Sequence, residues 1–321
     1  MSYRLVLAAA AALLMFINAA GAVYPERPIR ILVPFPPGGN VDITARIVAP
    51  GMSGQLGQSV IIDNRGGAHG TIAAEIVAKA ARDGYTLMLT SSGMLAIAPA
   101  LYQKLSYDIV TDFTPVGSIS TVPLVMLVHP SAPATTVREF IAAAKSRPGR
   151  ITMATNGSGS TPDLAGALFQ SLTGTQLIAV PYKGSGPAEI DLAGGQVEVY
   201  FDQLSAAIGF VNSGKTRALA VTSKARVAQL PHVPTMSEAG VPGCEASTFT
   251  GILAPAGTPR EIIRRLNAAM NNALRTSAVK ENFARFAGQT LEGTPEDLAR
   301  LMRDETTKWT QVVRAAGIKG E

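Results

Sequence analysis

Three glycine-rich stretches in this chain hold the residue types that bind anions. GFVNSGKT, residues 209–216, satisfies the phosphate-loop spacing G-x-x-x-x-G-K-[ST]. VPFPPGGNVDITAR, residues 33–46, places Gly38 and Gly39 just ahead of Asp42. ATNGSGSTPDLAG, residues 154–166, alternates Gly157 and Gly159 with Ser158 and Ser160, then continues Thr161, Pro162, Asp163. Backbone N–H groups laid bare by glycine at the start of a helix attract negative charge, and the helix dipole adds to the effect. The first stretch would imply a nucleotide; the other two, a carboxylate or another small oxyanion.

Local order separates them. A phosphate loop needs a strand before its glycines and a helix after its Lys-Thr end. In GFVNSGKT the order is reversed: Gly209 lies in a helical pattern, Gly214 is placed as a helix-ending glycine, and RALAVTS after it reads as a strand. Lys215 suits the carbonyls of a helix C-terminus, so the stretch reads as a helix stop. The other two loops do have the strand–loop–helix order. In the first, Asp42 falls in the opening turn and reads as a cap. In the second, Ser160 and Asp163 have capping-box spacing, and the hydroxyls of Ser158, Ser160 and Thr161 surround one helix N-terminus. A plain turn remains the alternative for each. Weaker candidates stand at other strand ends, where ligands of open α/β sheets sit: Ser91 and Ser92, the run Tyr182-Lys183-Gly184, and Asp202. Tyr182 is equally a core edge, and Lys183 a solvated charge. Together these positions suggest a ligand gripped across a cleft.

The elements that would carry these loops alternate. PIRILVPF, SVIIDNR and YTLMLTSS read as strands, separated by helical patterns from Asp42 and through TIAAEIVAKAARDG. The grammar restarts at LVMLVHP, followed by a helix opened by Thr136 with Glu139 in a capping box, then ITMAT, PDLAGALFQSLTG, LIAVPY, GPAEIDLAGG, VEVYFD, a short helix and RALAVTS. Such alternation predicts two α/β halves with parallel sheets covered by helices. A final third holds the strand FTGILAP and two helices, expected to be capped by Thr258 with Pro259 and Glu261, and by Thr294 with Pro295 and Asp297. Trp309 falls on the apolar stripe of the last helix and reads as a core anchor; periodicity does not say which half the tail packs on.

Composition narrows the function. The chain has 321 residues, 47% apolar and 16% charged, with a formal charge of +5 and a single cysteine, Cys244. An intrachain disulfide is therefore impossible, and packing must supply the stability. Basic residues are scattered and aromatics few, which excludes a nucleic-acid surface. Arg4, the apolar run 5–17 and Ala20-Gly21-Ala22 have the form of a secretory signal peptide over residues 1–22. Export speaks against an ATP-dependent enzyme. G-x-S-x-G is absent, and His69, His129 and His232 are too isolated for zinc-ligand spacing, so no metal or cofactor is expected.

Seven stretches in order, among them YPERPIRILVPFPPGG, DGYTLMLTSS, LYQKLSYDIVTDFTPV, PYKGSGPAEIDLAGGQVEV, LPHVPTMSEAGVPG and GILAPAGTP, give the mature chain its resemblance to the tripartite tricarboxylate transporter substrate-binding family, the Bug or TctC-like periplasmic receptors. The resemblance implies an α/β, two-lobed type II periplasmic-binding-protein fold that closes around a small carboxylate. It places the ligand between Phe35, Pro37, Gly38, Gly39 and Asp42 on one side and Asn156 through Asp163 on the other. It further implies a non-catalytic monomer serving a membrane transporter or a sensor kinase. The expected division is residues 23–122 with 248–321 as one domain and 123–247 as the other, hinged near 120–124 and 243–250. A secreted hydrolase using Ser158 or Ser160 is the competing class. Departures from the family pattern are Asp163 where histidine is common, Phe249 where tryptophan is common, and the prolines of PPGG. An extra carboxylate at Asp163 is expected to repel an anion or to accept a bond from an amide or amine on the ligand.

Overall fold

The computed structural model describes residues 24–67, 70–98, 106–157 and 159–315. The signal-peptide segment, His69 and Ser158 lie outside the described residues. Strands β1 (Ile29–Val33), β2 (Val60–Asn64) and β3 (Thr86–Ser91) alternate with helices α1 (Asn40–Leu56) and α2 (Thr71–Ala78). β1 pairs in parallel with both of the other strands. Its Ile29, Leu32 and Val33 are fully buried, as expected of a strand covered on both faces. α1 ends at Gly57, whose left-handed φ of 70° lets its N–H reach back to Ser53 O.

β4 (Phe113–Val128) then runs for 16 residues. Beyond it come α3 (Val137–Ser146), β5 (Ile151–Thr155), α4 (Thr161–Thr173), β6 (Leu177–Pro181), α5 (Ser185–Ala193), β7 (Val199–Gln203), α6 (Leu204–Asn212) and β8 (Arg217–Val221). The chain returns along β9 (Ser247–Pro255) and finishes with α7 (Arg260–Arg275), α8 (Ser277–Ala284), the short β10 (Gln289–Thr290) and α9 (Pro295–Ala315).

The strands line up as β2-β1-β3-β9-β4-β7-β5-β6, with β8 and β10 also on β4. β4 pairs with β9 as far as Pro123 and Ser247, and from Leu124 onward with β7 and β8. One long strand thus leaves one lobe and enters the other, with the change of partners at Pro123/Leu124. The hydroxyl of Thr222 clamps this change. It accepts from Leu124 N at 2.9 Å and donates to Ala246 O at 2.6 Å, just ahead of β9. The sheet is mixed: parallel at its flanks, antiparallel around β4 and β9, because the two strands that cross between lobes run in opposite directions. Reading only 124–130 as a strand missed its first half, where Pro115, Gly117 and two register shifts break the alternation.

Capping chemistry sets several boundaries. Thr136 and Glu139 form the full capping box of α3, and Thr294 and Asp297 exchange the same bonds before α9. Thr258 does not cap α7: its hydroxyl donates to Pro255 O at 2.8 Å, and Pro259 occupies the cap position. GFVNSGKT ends α6, with Gly214 at φ 69° and Lys215 N bonded to Phe210 O at 2.9 Å, before β8 begins. The tail packs on both lobes rather than one. Leu298 and Met302 of α9 join the cluster around Phe113 and Leu253, while Trp309 and Val313 join Leu124, Phe169 and Phe201. Trp309 is fully buried, and its indole N–H donates to Glu305 at 2.9 Å.

Candidate functional site

Between the lobes lies a cavity of about 320 Å³, and helix N-termini face it. α1 contributes Gly39, Asn40 and Val41; α4 contributes Ser160, Thr161 and Pro162; α5 contributes Gly184, Ser185 and Gly186. The first N–H groups of a helix have no intrahelical acceptor, so three such ends leave several donors and three positive dipole poles around one space. Neither α1 nor α5 has a side-chain cap, since glycine precedes each. Among the described residues, no Lys, Arg, Asp or Glu lines the cavity. Its remaining walls are Phe35, Pro36, Pro37, Gly93, Met94, Ala98, Tyr107 and Gly159, with Thr71, Ser91, Ser106, Asn156 and Gln203 as neutral polar groups.

The two glycine loops use one device. Gly38 N donates to Asp42 Oδ2 at 2.9 Å, and Gly159 N donates to Asp163 Oδ2 at 2.9 Å, each four residues on. Both glycines have left-handed φ, 88° and 76°, which a side chain would strain. These two N–H groups are therefore taken by the loops themselves, and the donors that face the cavity are those further along each helix. Asp42 is buried and also receives Arg46 at 3.0 Å and Asn64 at 3.1 Å. Burial alone would raise its pKa; the hydrogen bonds from Arg46, Gly38 and Asn64 outweigh that and hold it below the usual carboxylate range. Asp163 likewise closes its loop, accepting from Gly159 while Ser160 Oγ accepts from its N–H at 3.3 Å, and it stands outside the cavity lining.

Contacts also run from lobe to lobe. Ser92 Oγ and Thr161 Oγ1 are 2.9 Å apart, and Ser205 Oγ donates to Asn40 Oδ1 at 2.8 Å. Asn40 Nδ2 is a buried donor with no partner among the described residues. A Cβ built on Gly93 would stand 3.4 Å from Gly159 O, and one on Gly184 3.4 Å from Pro36 Cδ. The rims of the two lobes are in contact.

A deeper layer stands behind the second lobe's wall. Ser185 Oγ donates to Asp202 Oδ1 at 2.7 Å and accepts from Asn156 Nδ2 at 3.2 Å, while Tyr200 O–H donates to Asn156 Oδ1. Asp202 is fully buried, with Glu189 beside it at 1% exposure. Burial and each other's charge push Glu189 up, and burial pushes Asp202 up.

With this geometry, similarity to known proteins becomes specific. The profile of the tripartite tricarboxylate transporter family receptor, TctC, matches residues 44–318. The chain belongs to that family. BugT of Bordetella pertussis is 41% identical over 297 residues, covering 92% of this chain and 91% of BugT. The solved structure of R. palustris Rpa4515 with adipate superposes with a TM-score of 0.90 at 39% identity, over 92% of this chain and 99% of that one. MatC (Rpa3494) from Rhodopseudomonas palustris with bound malate gives 0.86 at 35% identity, over 90% and 100%. The fold is thus the two-lobed type II periplasmic-binding-protein fold of this receptor family.

Of the positions singled out in the sequence, Phe35, Pro37, Gly39, Ser91, Asn156, Gly159, Ser160, Thr161 and Gly184 line the cavity. Gly38, Asp42, Gly157 and Asp163 shape the loops, with Gly157 O accepting from Ser160 N at 3.1 Å. Ser92 reaches across to Thr161 rather than inward. Tyr182 turns away, its hydroxyl on Asp191 at 2.7 Å, its pKa pushed up to about 12 by burial and then by that carboxylate. Lys183 is exposed and outside the lining. Asp202 lies one layer behind the wall. The cavity also takes in Asn40, Ser185 and Gln203, each directly following a residue named from the sequence, and Gly186 one position further on. At Asn40 and Ser185 the turn signal stops at the glycine, one residue short of the first helical position, whereas Gln203 closes β7 and carries no turn signal of its own. Cys244 is buried, with its thiol pushed up to about 12 by desolvation, and is inert at neutral pH.

Proposed function

We propose that this chain is an exported periplasmic receptor that captures a small carboxylate between its lobes and does not transform it. The observation that carries this reading is the convergence of three helix N-termini on a cavity whose described walls hold no charged side chain. Such a site neutralises one or two carboxylates by dipoles and N–H groups without fixing a cation. Each hydrogen bond to an ionised group contributes about 1.5–3 kcal/mol, so a handful suits capture near micromolar concentrations, about −8 kcal/mol. Relatives solved with adipate and with malate make linear dicarboxylates the first candidates. The family's role points to membrane subunits of a tripartite transporter as the partner; a sensor kinase is the other candidate. Residues 1–22 would direct export, with cleavage near Ala22, and the mature chain would act as a monomer. Among the described residues, no helix is long and apolar enough to cross a membrane.

Phe35–Asp42 and Asn156–Asp163 would face each other across the ligand, and the lobes would hinge where β4 changes partners. A thermal-shift panel of mono-, di- and tricarboxylates, amino acids, aromatic acids and Mg-ATP tests the reading. One carboxylate should raise the melting temperature and be recovered unaltered. Gly39→Val should abolish the shift, because Gly39 lines the cavity and a Cβ there, with Pro36 O at 4.0 Å as its near neighbour, stands in open space that the ligand would otherwise use. Stabilisation by Mg-ATP alone, sensitive to Lys215→Ala, would overturn the reading in favour of a nucleotide site. Burst release from activated esters would overturn it in favour of a serine hydrolase.

A further inference from the structure

The wall that α5 and β7 present to the cavity is backed by two carboxyl groups with no cation. Asp202 is fully buried and Glu189 is 1% exposed. Three of their four oxygens, Glu189 Oε1 and Oε2 and Asp202 Oδ2, have no donor among the described groups. Neither residue takes part in any described ion pair. The fourth oxygen, Asp202 Oδ1, accepts from Ser185 Oγ at 2.7 Å. Two ionised carboxylates cannot persist side by side in so dry a place. A single proton resolves the arrangement: protonated on Glu189, the pair has one O–H to donate to Asp202 Oδ2, and one negative charge remains.

That charge sets the orientation of groups that do reach the cavity. Ser185, one helical turn before Glu189 on α5, gives its proton to Asp202 and so turns its lone pairs toward Asn156 Nδ2, 3.2 Å away. Asn156 Oδ1 then accepts from Tyr200 O–H, which fixes the amide. Gln203, next to Asp202 on β7, approaches Ser185 Oγ with Oε1 at 3.3 Å and donates from Nε2 to Thr248 Oγ1 at 3.1 Å, on the crossing strand β9. Ser185, Asn156 and Gln203 all line the cavity. The elements packed on this face add little charge: β5 and α6 bring no titratable side chain, β7 brings Tyr200, and Asp191 of α5 is turned to Tyr182.

We propose that Glu189 and Asp202 share one proton and act as positioning residues for the second lobe's wall, so that carboxylate capture depends on that proton staying in place. The proposal rests on the receptor reading. Loss of the proton puts a second buried negative charge behind the N-terminus of α5, where an anionic ligand is expected, and repels Glu189 from Asp202, shifting the helix that carries Gly184, Ser185 and Gly186.

The direction of the pH effect follows. The folded chain keeps a proton on Glu189 that the unfolded chain, with an ordinary glutamate near 4.5, releases; Glu189 is pushed up to about 9 by burial and by Asp202. Folding therefore takes up a proton, and stability falls as pH rises from the ordinary glutamate value through about 9. Glu189→Gln supplies a permanent amide donor to Asp202 and removes this dependence. Calorimetric titration of wild type and E189Q with adipate and malate, at about pH 7 and about pH 10, reads the binding arm. Wild-type affinity should drop about tenfold per pH unit above the titration of the pair, whereas E189Q should keep its neutral-pH affinity throughout. Thermal unfolding without ligand reads the proton itself: the slope with pH should be steeper in wild type than in E189Q. Infrared spectra of wild type at neutral pH should show the C=O stretch of a buried protonated carboxylic acid, whatever the fate of the variant. Equal pH profiles in wild type and E189Q, weaker binding by E189Q at neutral pH, or absence of that infrared band would each overturn the proposal. Failure of both probes to bind wild type, with the band and the steeper slope present, would instead count against the receptor reading and the dependence built on it.

Discussion

Gly93 offers a direct test of whether contact between the lobes carries affinity. It opens the π-helical turn Gly93–Ile97 after β3, and a Cβ there would lie 3.4 Å from Gly159 O and 3.5 Å from the Cα of Ser160. Those are ordinary van der Waals distances, so Gly93→Ala should be accepted. A longer side chain starts from this contact with backbone of the opposite lobe, which cannot swing aside as a flexible side chain does, and from the cavity lining itself. Gly93→Leu should therefore hold the lobes apart while leaving each folded. The structure sets the scale. Opening the cleft breaks Ser92–Thr161 at 2.9 Å and Ser205–Asn40 at 2.8 Å. Two neutral hydrogen bonds are together worth about 1–3 kcal/mol, which is about a 5- to 150-fold loss in affinity. Calorimetric titration with the carboxylate that stabilises wild type measures the loss, and small-angle scattering reports the separation of the lobes. Unchanged binding by Gly93→Leu, with a scattering profile like that of wild type, would refute the inference that contact between Gly93 and the 159–160 loop carries affinity.

Three further outcomes concern the frame of the site. Asp42→Ala removes the acceptor of Gly38 N, Arg46 and Asn64 at once, and should destabilise the chain by about 2–3 kcal/mol in urea unfolding. Because its hydrogen bonds hold Asp42 below its ordinary pKa, the stability it gives is present above that value and lost as pH falls through the lowered one; Asp42→Asn should flatten this acid limb. Thr222→Val keeps the shape of the clamp between the crossing strands but leaves Leu124 N and Ala246 O without their hydroxyl partner. The cost should be about 1–3 kcal/mol, and a variant as stable as wild type would show that the clamp does not hold the two strands together.

What the sequence revealed, and what it hid, divides along one physical line. Local chemistry was legible: apolar runs gave the strands ITMAT and RALAVTS, and the Thr-x-x-Glu and Thr-x-x-Asp spacings gave the starts of α3 and α9. The order of strand, glycine and helix was enough to read GFVNSGKT as a helix stop, and the folded chain ends α6 there. The two loops that do face the cavity were found by the same rule. Non-local pairing was hidden. The first half of β4 carries Pro115, Gly117 and Pro123 and alternates poorly, because its strand character comes from β9 on one side and β10 on the other rather than from its own residues. Nothing in α9 announces that Leu298 serves one lobe and Trp309 the other, since a helical stripe records burial and not the identity of what buries it.

The carboxylates show the same divide at the site itself. Asp42, Asp163 and Asp202 look alike in a sequence, each near a glycine or a strand end. Asp42 and Asp163 lie four residues after a glycine and turn back on its N–H, a local bond that the spacing already contains. Their charges are absorbed by the loops, which is compatible with the anion site proposed between them. Asp202 is bonded by the N–H of Gln203 beside it and by Tyr200, but its decisive partners are distant in the chain: Ser185, 17 residues back, and Glu189, which reaches it only because α5 folds onto β7. A cavity that attracts carboxylates through helix ends, as proposed, tolerates a buried acid behind it only if the acid's charge is limited. That requirement ties Glu189 to the site although it touches nothing in the cavity. It also makes the Glu189→Gln variant informative: the substitution leaves the shape of the wall alone and changes only whether the pair can lose its proton.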